Sequence, residues 1–302
     1  MTSIIIPAYN SQDTIKACII RALSQTCPDI EVIVIDDGST DQTPQICDEL
    51  AKTDTRLVVI HQLNKGRSEA RWKGVSVAKG EWIAFIDSDD KIVTDAIKRL
   101  LGAADHDSDI VFGNAQSVFN PVPAKIDIET FRHHAVRGDG TIGVPWGSIY
   151  KRQLLEKSDF ELPREIYNGE DYIFWLRIIF RTEKLVSLLK DSIYDKGEEH
   201  TSNSFNWTAD YAYRLNEFRM ASIPQEKLPS FLADTIADRL VNLAAVAICQ
   251  DKKEWKHSKF YNDIIHDLKT INSPIPLKTR IFLSIPSLTL RRLISRLISH
   301  IK

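Results

Sequence analysis

The stretch "EVIVIDDGSTD", residues 31–41, joins an unbroken apolar run to a cluster of carboxylates at its end. Unbroken apolar runs are typical of strands that are buried on both faces of a parallel sheet. Three further runs, "SIIIPA", "RLVVIH" and "WIAFID", alternate with stretches of helical length over the first hundred or so residues. Four βα units in series predict an α/β fold, in which helices flank a mostly parallel sheet of the nucleotide-binding type.

The composition sets the class of protein. A chain of 302 residues with 43% hydrophobic and 26% charged residues can bury a sizeable core. Its formal net charge of −2 gives no indication of nucleic-acid binding. The four cysteines show no CxxC spacing, which favours reduced thiols and a cytoplasmic protein. We expect no signal peptide and no membrane span, because the first apolar run is short and no later one reaches roughly 20 residues.

The regular alternation of strands and helices ends after "DIVFGNAQSVF". Residues 120–148 are rich in Pro, Gly and charge, so we expect a long and partly irregular insertion there. Two helix-like segments follow, at about 152–157 and 171–182, and then a short strand, "KLVSLL". From about Trp207 the pattern predicts helices.

Carboxylates cluster where the predicted strands end. Asp36 and Asp37 follow the second strand, and "DSDD", residues 87–90, follows the fourth. Ligands of an open parallel sheet bind at the carboxyl ends of its strands. Closely spaced carboxylates repel one another unless a counter-charge arrives, and Mg²⁺ or Mn²⁺ with phosphate oxygens would supply it. The alternative is an acidic turn that caps the next helix, and an isolated DxD match favours that alternative.

Five motifs in this order, "SIIIPAYN", "VIVIDDGSTD", "NKGRSEAR", "FIDSDD" and "GEDYIF", resemble the family-2 glycosyltransferases of the GT-A fold. The resemblance is closest to the bacterial enzymes that build capsules, O-antigens and other surface glycans, and it covers about residues 2–205. It implies a GT-A catalytic domain over 1–205, with a nucleotide-binding half to about 118 and an acceptor half over 119–205. Residues 206–302 would then form a helical C-terminal region.

The resemblance also implies a donor site for a nucleotide sugar, with UDP-sugar as the expected donor. Tyr9 would stack on the base, and Asp37 would accept a hydrogen bond from the imide N–H of uracil. Arg71 would face the diphosphate or ribose, although its neighbour Trp72 stands where the family often has Asn. The implied donor-binding residues are Pro7, Ala8, Tyr9, Asn10, Asp36, Asp37, Arg71, Asp87, Ser88 and Asp89. An ordinary strand-end aromatic and ordinary turn carboxylates are the alternatives.

By the same resemblance, Asp89 is the chief ligand of a Mn²⁺ or Mg²⁺ ion, and Asp87 lies nearer the ribose. His200, in "EEHTSNS", is the candidate for a further metal ligand, against the alternative of a solvated loop histidine. Sugar transfer to a hydroxyl needs a base. The resemblance assigns this role to Asp171, with Glu170 orienting it or binding the acceptor. Their alternative role is to stabilise a helix N-terminus.

Two other features concern the acceptor side and the membrane. Trp146 resembles an acceptor-side wall, where an aromatic ring packs on a sugar, and could equally be a core tryptophan. From Leu268 to Lys302 the chain has seven Lys or Arg and no Asp or Glu. In "LTLRRLISRLISHIK" the apolar residues fall at helical spacing, which predicts a basic amphipathic tail for an anionic membrane interface. Docking of this helix on the protein or on a second subunit is the alternative.

These features together predict an inverting, metal-dependent glycosyltransferase at the inner face of the cytoplasmic membrane, acting on a glycan or lipid-linked acceptor. One alternative is an inactive sugar-nucleotide-binding or scaffold protein, although Asp87, Asp89 and Asp171 are all present. Another is a nucleotidyltransferase, but "PAYNSQDT" follows the first strand in place of a glycine- and arginine-rich phosphate loop. No GxGxxG follows that strand either, which disfavours a dinucleotide-binding oxidoreductase. An oligomer is compatible with all of these.

Overall fold

The structure is a computed structural model that describes residues 1–140, 142–195 and 205–299. The chain divides into two compact units. The first comprises Met1–Ala135 and Asp139–His200, and the second comprises Val136–Gly138 and Thr201–Lys302. None of the helices in the described ranges has the length and apolar composition that a bilayer-crossing segment needs.

The first unit contains the strands of the protein, which follow one another along the described part of the chain. They are β1 (Thr2–Ala8), β2 (Ile30–Asp36), β3 (Leu57–His61), β4 (Trp82–Phe85), β5 (Lys91–Ile92), β6 (Ile110–Phe112), β7 (Lys125–Ile126), β8 (Ile149–Lys151), β9 (Val186–Leu188) and β10 (Tyr194–Asp195). The helices between them are α1 (Ile15–Leu23), α2 (Thr43–Ala51), α3 (Arg67–Val77), α4 (Ala96–Ala103), α5 (Ile128–Arg137) and α6 (Glu170–Ile179).

The main sheet has the strand order β3-β2-β1-β4-β8-β6-β9-β7 among the described residues. Strands β1 to β4 are parallel, as predicted, and their four βα units are confirmed. The chain continues from β1 to β2 on one side and reaches β4 on the other, so the strand order reverses between β1 and β4. In open α/β sheets a ligand crevice opens at such a point, outside the carboxyl ends of the strands.

Close packing of α3 on β1 brings the start of α3 to this crevice. All seven residues of β1 are buried, as its unbroken apolar run predicts. Gly74 of α3 lies against β1, where an added Cβ would overlap Ile5 Cγ2. A glycine therefore allows the helix backbone to approach the sheet, and the arginines one and two turns earlier are placed over the strand ends.

For the later part of the first unit, one local prediction was incomplete and another was wrong. Residues 120–148, predicted as a long and partly irregular insertion, contain β7 and the whole of a ten-residue helix, α5. Residues 152–154 and 157–159 form short 3₁₀ turns and no α-helix. In addition, β8 runs antiparallel to both β4 and β6, so the sheet is mixed beyond β4.

The second unit is helical, as predicted. Its helices in the described range are α7 (Ala209–Ala221), α8 (Leu228–Cys249), α9 (Lys252–Lys256), α10 (Lys259–Thr270), α11 (Leu277–Ser284) and α12 (Leu288–Ser299). Helix α8 contacts α7, α10, α11 and α12, and so lies at the centre of this unit. Its inner side packs with Trp255, Phe260 and Ile264 in one apolar core.

Helix α12 forms the predicted tail, but its arginines do not all face outward. Arg291 is buried and donates hydrogen bonds to the carbonyl oxygens of Ile285 and Gln250, at 3.0 and 2.9 Å. Arg292 donates to the carbonyl of Ile248 in α8 at 2.8 Å. Leu290 and Leu293 remain 45% and 54% exposed. The helix therefore docks on α8 through arginine-to-carbonyl contacts and leaves two leucines in solvent.

Candidate active site

A cavity of about 810 Å³ opens at the carboxyl ends of β1 and β4. Its walls come from the segment after β1, the β3–α3 loop with the start of α3, the residues after β4, and the segment that leads into α6. Most of the predicted donor residues, Pro7, Ala8, Tyr9, Asn10, Asp37, Ser88, Asp89 and Asp87, line it, and so does Glu170. The structure thus brings together residues that are up to 163 positions apart in the chain.

The segment after β1 presents an aromatic ring to the cavity. Tyr9 is 51% exposed and lines the wall. Its neighbour Asn10 has a φ of +48°, and its Oδ1 accepts a hydrogen bond from the amide of Thr40 at 2.8 Å. The amide of Asn10 donates to Ser39 Oγ at 3.0 Å. These bonds hold the loops after β1 and β2 together and fix the backbone beside Tyr9.

The two aspartates after β2 have different surroundings. Asp36 is buried, accepts hydrogen bonds from the Ser39 amide and His61 Nδ1, and does not line the cavity. The hydrogen bond between His61 and Asp36 raises the pKa of His61, whereas burial alone would lower that pKa. Asp37 lines the cavity, but its carboxylate accepts from Gln62 Nε2 and from the amides of Lys65 and Gly66. Since a carboxylate has about four acceptor positions, one remains for a ligand donor.

Arg71 lies at the centre of the site's charges. It is 2% exposed, and its Nη2 donates to Asp87 Oδ1 at 2.9 Å while its Nη1 donates to Asp171 Oδ1 at 2.5 Å. Burial would lower the pKa of Arg71, but the two carboxylates raise it. Arg71 does not line the cavity, so its contact with a diphosphate or ribose stays a prediction. It ties the end of β4 to the start of α6.

The residues after β4 combine a partly buried and an exposed carboxylate. Burial of Asp87 would raise its pKa, but Arg71 and Arg67 lower it overall. Ser88 Oγ is hydrogen-bonded to Ser11 Oγ at 2.7 Å, which connects this turn to the loop after β1. Asp89 is exposed and lines the cavity. The turn therefore presents the Asp89 carboxylate to the cavity and keeps Asp87 partly covered.

The start of α6 contributes two carboxylates that have different partners. Glu170 is 7% exposed, lines the cavity and lies 3.5 Å from Arg67 Nη1. Burial and the neighbouring charge of Asp171 raise the pKa of Glu170 to about 7, against the opposing effect of Arg67 and Arg71. Asp171 is the partner of Arg71 and does not line the cavity. A carboxyl group that titrates near neutral pH suits proton transfer.

The structure adds residues that the motifs did not identify. Arg67, Lys65, Arg164 and Tyr167 all line the cavity. The side chain of Arg164 donates to the backbone and side-chain oxygens of Asn64, across the cavity from its own loop. Of these four residues, only Arg67 could have been identified from the sequence, because it stands one helical turn before Arg71 on the same face of α3.

Two predicted residues lie elsewhere. Trp146 is half-buried, pairs through its backbone with Phe85 of β4 and packs against the core, without lining the cavity. His200 lies outside the residues that the structure describes. In the described ranges, one group of three metal-capable side chains lies within reach of one another, namely Asp105, His106 and Asp107 on the turn between α4 and β6. None of these three lines the cavity, and Asp105 pairs with Lys125.

Known proteins resemble this chain in sequence and in fold. EpsH of Bacillus subtilis (strain 168) is 34% identical over 204 residues, which are 64% of this chain and 59% of EpsH. The chain thus spans about three fifths of that relative. Staphylococcus aureus TarS (residues 1–349), solved in complex with UDP-GlcNAc, has a TM-score of 0.60 at 20% identity, covering 91% of this chain and 93% of that one. The mannosyltransferase PcManGT from Pyrobaculum calidifontis, solved with GDP-Man and Mn²⁺, has a TM-score of 0.57 at 17% identity, covering 98% and 86%.

The two structural likenesses confirm the predicted GT-A-type fold. Residues 3–160, which are half of the chain, match the family described as Glycosyl transferase family 2. This match includes the motifs at the ends of β1, β2 and β4 and the whole of α3. The chain belongs to glycosyl transferase family 2.

Proposed function

We propose that this protein is a metal-dependent, inverting glycosyltransferase that moves a sugar from a nucleotide-sugar donor to a hydroxyl group. The acceptor would be a glycan or a lipid-linked glycan in bacterial surface polysaccharide synthesis. The observation that carries the proposal is one cavity lined by Tyr9, Asp89 and Glu170. It thereby holds an aromatic platform, an exposed carboxylate for a cation and a carboxyl group that can take a proton.

We propose UDP-sugar as the donor. Tyr9 has an exposed ring for stacking on a base, and Asp37 keeps one acceptor position for the single imide N–H of uracil. The binding of UDP-GlcNAc by TarS supports this choice. Because PcManGT holds GDP-Man on a similar fold, a donor test has to include guanosine sugars.

The residues after β4 fit a divalent cation. Mg²⁺ and Mn²⁺ prefer oxygen ligands, and Mg²⁺ is commonly held by one or two carboxylates together with substrate phosphates. Asp89, exposed to the cavity, and Asp87 beside it would hold the ion, with His200 as a further proposed ligand. When bound, the ion offsets the negative charge that develops on the leaving diphosphate.

The carboxylates at the start of α6 would serve the attacking hydroxyl. One of them takes the proton while the acceptor oxygen forms its bond to C1 of the sugar. The bond between C1 and the diphosphate breaks, and its electron pair leaves with the nucleotide. Attack on the face opposite the leaving group inverts the configuration at C1, so an α-linked donor gives a β-linked product.

A donor screen tests the proposed function. The purified full chain, incubated with Mn²⁺ and each of several UDP- and GDP-sugars, is expected to hydrolyse one or a few of them slowly. Nucleotide release is followed with and without EDTA, which should abolish it. A scaffold protein would bind UDP without hydrolysis, and a nucleotidyltransferase would release pyrophosphate from UTP and a sugar 1-phosphate. Either result would contradict the proposal.

We also propose that α12 associates with the inner face of the cytoplasmic membrane. The supporting features are the exposed Leu290 and Leu293 on a segment that is basic and has no acids. Basic residues near an anionic surface contribute about 1 kcal/mol each and are screened by salt. Apolar burial contributes a part that salt does not weaken.

The double variant Leu290→Gln/Leu293→Gln is expected to reduce binding to phosphatidylglycerol-containing vesicles about tenfold or more. Burying even half of a leucine side chain contributes about 1 kcal/mol, and the two leucines are 45% and 54% exposed. Co-sedimentation at several salt concentrations measures the effect. Ile20→Gln, on α1 and 45% exposed, is the matched control and should bind normally. Equal binding of the double variant and the unchanged protein would favour docking alone.

A further inference from the structure

The segment that leads into α6 places an exposed aromatic ring on the wall of the cavity. In the described part of the chain, the aromatic residues that line the cavity are Tyr9, Phe160 and Tyr167. Phe160 is 3% exposed and belongs to the core, whereas Tyr9 is 51% exposed and Tyr167 is 67% exposed. The cavity therefore has two accessible aromatic rings, one after β1 and one before α6.

Contacts on both sides of Tyr167 hold its segment in place. Its neighbour Ile166 is 4% exposed, and the amide of Ile166 donates to the carbonyl of Pro163 at 2.9 Å, so the backbone turns here. Arg164 Nη2 donates to the backbone carbonyl of Asn64 at 3.2 Å and to the Asn64 side-chain oxygen. The segment is thus anchored in the core and to the β3–α3 loop. A platform that is already ordered loses little conformational entropy when a ligand packs on it.

We propose that Tyr167 is the platform on which a sugar ring of the acceptor packs. The proposal rests on the proposed function and names the class of acceptor, which is a terminal pyranose and not an open-chain polyol. A pyranose whose ring C–H bonds point to one side presents an apolar face there, while its hydroxyls lie around the edge. A tyrosine ring matches this pattern, because its face is apolar and its hydroxyl lies at the rim.

The position of Tyr167 favours the acceptor over the donor. Tyr167 stands three residues before Glu170, which begins α6 and lines the same cavity. The carboxylates at this helix start are proposed to serve the attacking hydroxyl, so a sugar on Tyr167 would lie on the same wall as those carboxylates. Tyr9 and Asp37, which follow β1 and β2, are proposed to take the base of the nucleotide. One base needs one platform, which leaves the second exposed ring for the second substrate.

Trp146 does not supply such a surface. It was predicted as the acceptor-side wall, but it packs against the core and does not line the cavity. Tyr167 lies in a loop and belongs to no periodic pattern, so the sequence did not single it out. Its exposure at the cavity is what makes it the candidate for this role.

The test measures transfer to simple acceptor probes. The full chain is given Mn²⁺, the nucleotide sugar that the donor screen selects, and one probe at a time. The probes are methyl β-glucoside, methyl β-galactoside, methyl N-acetyl-β-glucosaminide and the open-chain ribitol 5-phosphate. Transfer product and free nucleotide are quantified together, so that transfer is expressed relative to hydrolysis. For the unchanged protein we expect transfer to at least one glycoside and none to ribitol 5-phosphate.

The variants are compared at probe concentrations below saturation. Tyr167→Ala should lower the ratio of transfer to hydrolysis about tenfold or more, while UDP affinity by calorimetry changes less than about twofold. Tyr167→Trp keeps an aromatic face and should preserve the ratio. Leu63→Ala removes a side chain that is 83% exposed and does not line the cavity, and it should match the unchanged protein. An unchanged ratio in Tyr167→Ala, or transfer to ribitol 5-phosphate that is indifferent to this change, would overturn the proposal.

Saturation-transfer NMR detects the same contact without turnover. UDP is added with Mg²⁺, because the paramagnetism of Mn²⁺ broadens the signals. The ring protons of at least one glycoside should receive saturation from the unchanged protein and lose most of it with Tyr167→Ala. If no glycoside gave a Tyr167-dependent signal in either measurement, the proposal would be wrong. If the unchanged protein bound no UDP, the proposed function would fail instead.

Discussion

Arg71→Met is expected to lower the free energy of unfolding by about 3–5 kcal/mol. The guanidinium is 2% exposed and bonded to Asp87 and Asp171, which come from two elements far apart in the chain. Methionine keeps most of the volume but leaves two partly covered carboxylates without a counter-charge, and breaking a buried ion pair at one partner has a cost of this size. Urea unfolding of both proteins at pH 7 measures the difference.

Two controls separate the buried bridge from the general loss of a charge. Arg67→Met changes the same residue type one turn earlier on α3, where the side chain is 54% exposed, and should cost at most about 1 kcal/mol. Arg71→Met combined with Asp171→Asn should regain part of the lost stability, because only one carboxylate is then uncompensated. A single Arg71→Met variant within 1 kcal/mol of the unchanged protein would show that the bridge contributes little.

Asp89→Ala is expected to abolish the dependence of UDP binding on Mn²⁺ and to reduce donor hydrolysis by about 10³-fold or more. Asp89 presents its carboxylate to the cavity, and a bound cation contributes several kcal/mol of charge stabilisation during bond cleavage. Calorimetry with UDP, with and without Mn²⁺, gives the first quantity. Nucleotide release gives the second.

The matched control for Asp89 is Asp107→Ala. Asp107 is exposed and belongs to the Asp105, His106 and Asp107 group, which lies outside the cavity. This variant should keep the metal dependence of UDP binding. If Asp107→Ala lost it and Asp89→Ala kept it, the functional cation would bind at the turn between α4 and β6.

The parallel part of the sheet, β1 to β4, was predictable because its signals are local. Strands β1 and β2 are seven-residue runs buried at every position, and helices of ordinary amphipathic pattern follow them. Helix α5 was missed because its buried side includes Arg132, which is fully enclosed and bonded to the carbonyls of Ile179 and Thr182. An arginine at a core position hides the apolar periodicity on which such predictions rest.

The residues of the candidate site, like the helices, could be predicted only where local sequence patterns place them. Tyr9 and Asp37 directly follow β1 and β2, and Asp89 lies four residues after β4, so their meeting at one cavity could be predicted from the parallel sheet. The partner of Arg71 could not, because Asp171 stands 100 positions away and the expected partner was a ligand phosphate. The docking of α12 likewise depends on backbone carbonyls of Ile248, Gln250 and Ile285, which no side-chain pattern reveals.

Strand β8 has a consequence for the order in which the chain can fold. It is the neighbour of β4 in the sheet, yet it begins 64 residues after β4 ends, beyond α4, β6 and α5. Until residues 149–151 emerge from the ribosome, β4 is an open edge with unpaired backbone groups, and such edges invite pairing with other chains. Long-range closure of this kind is slow compared with local pairing. The parallel part of the sheet, β1 to β4, therefore depends for its protection on a strand that is synthesised well after it.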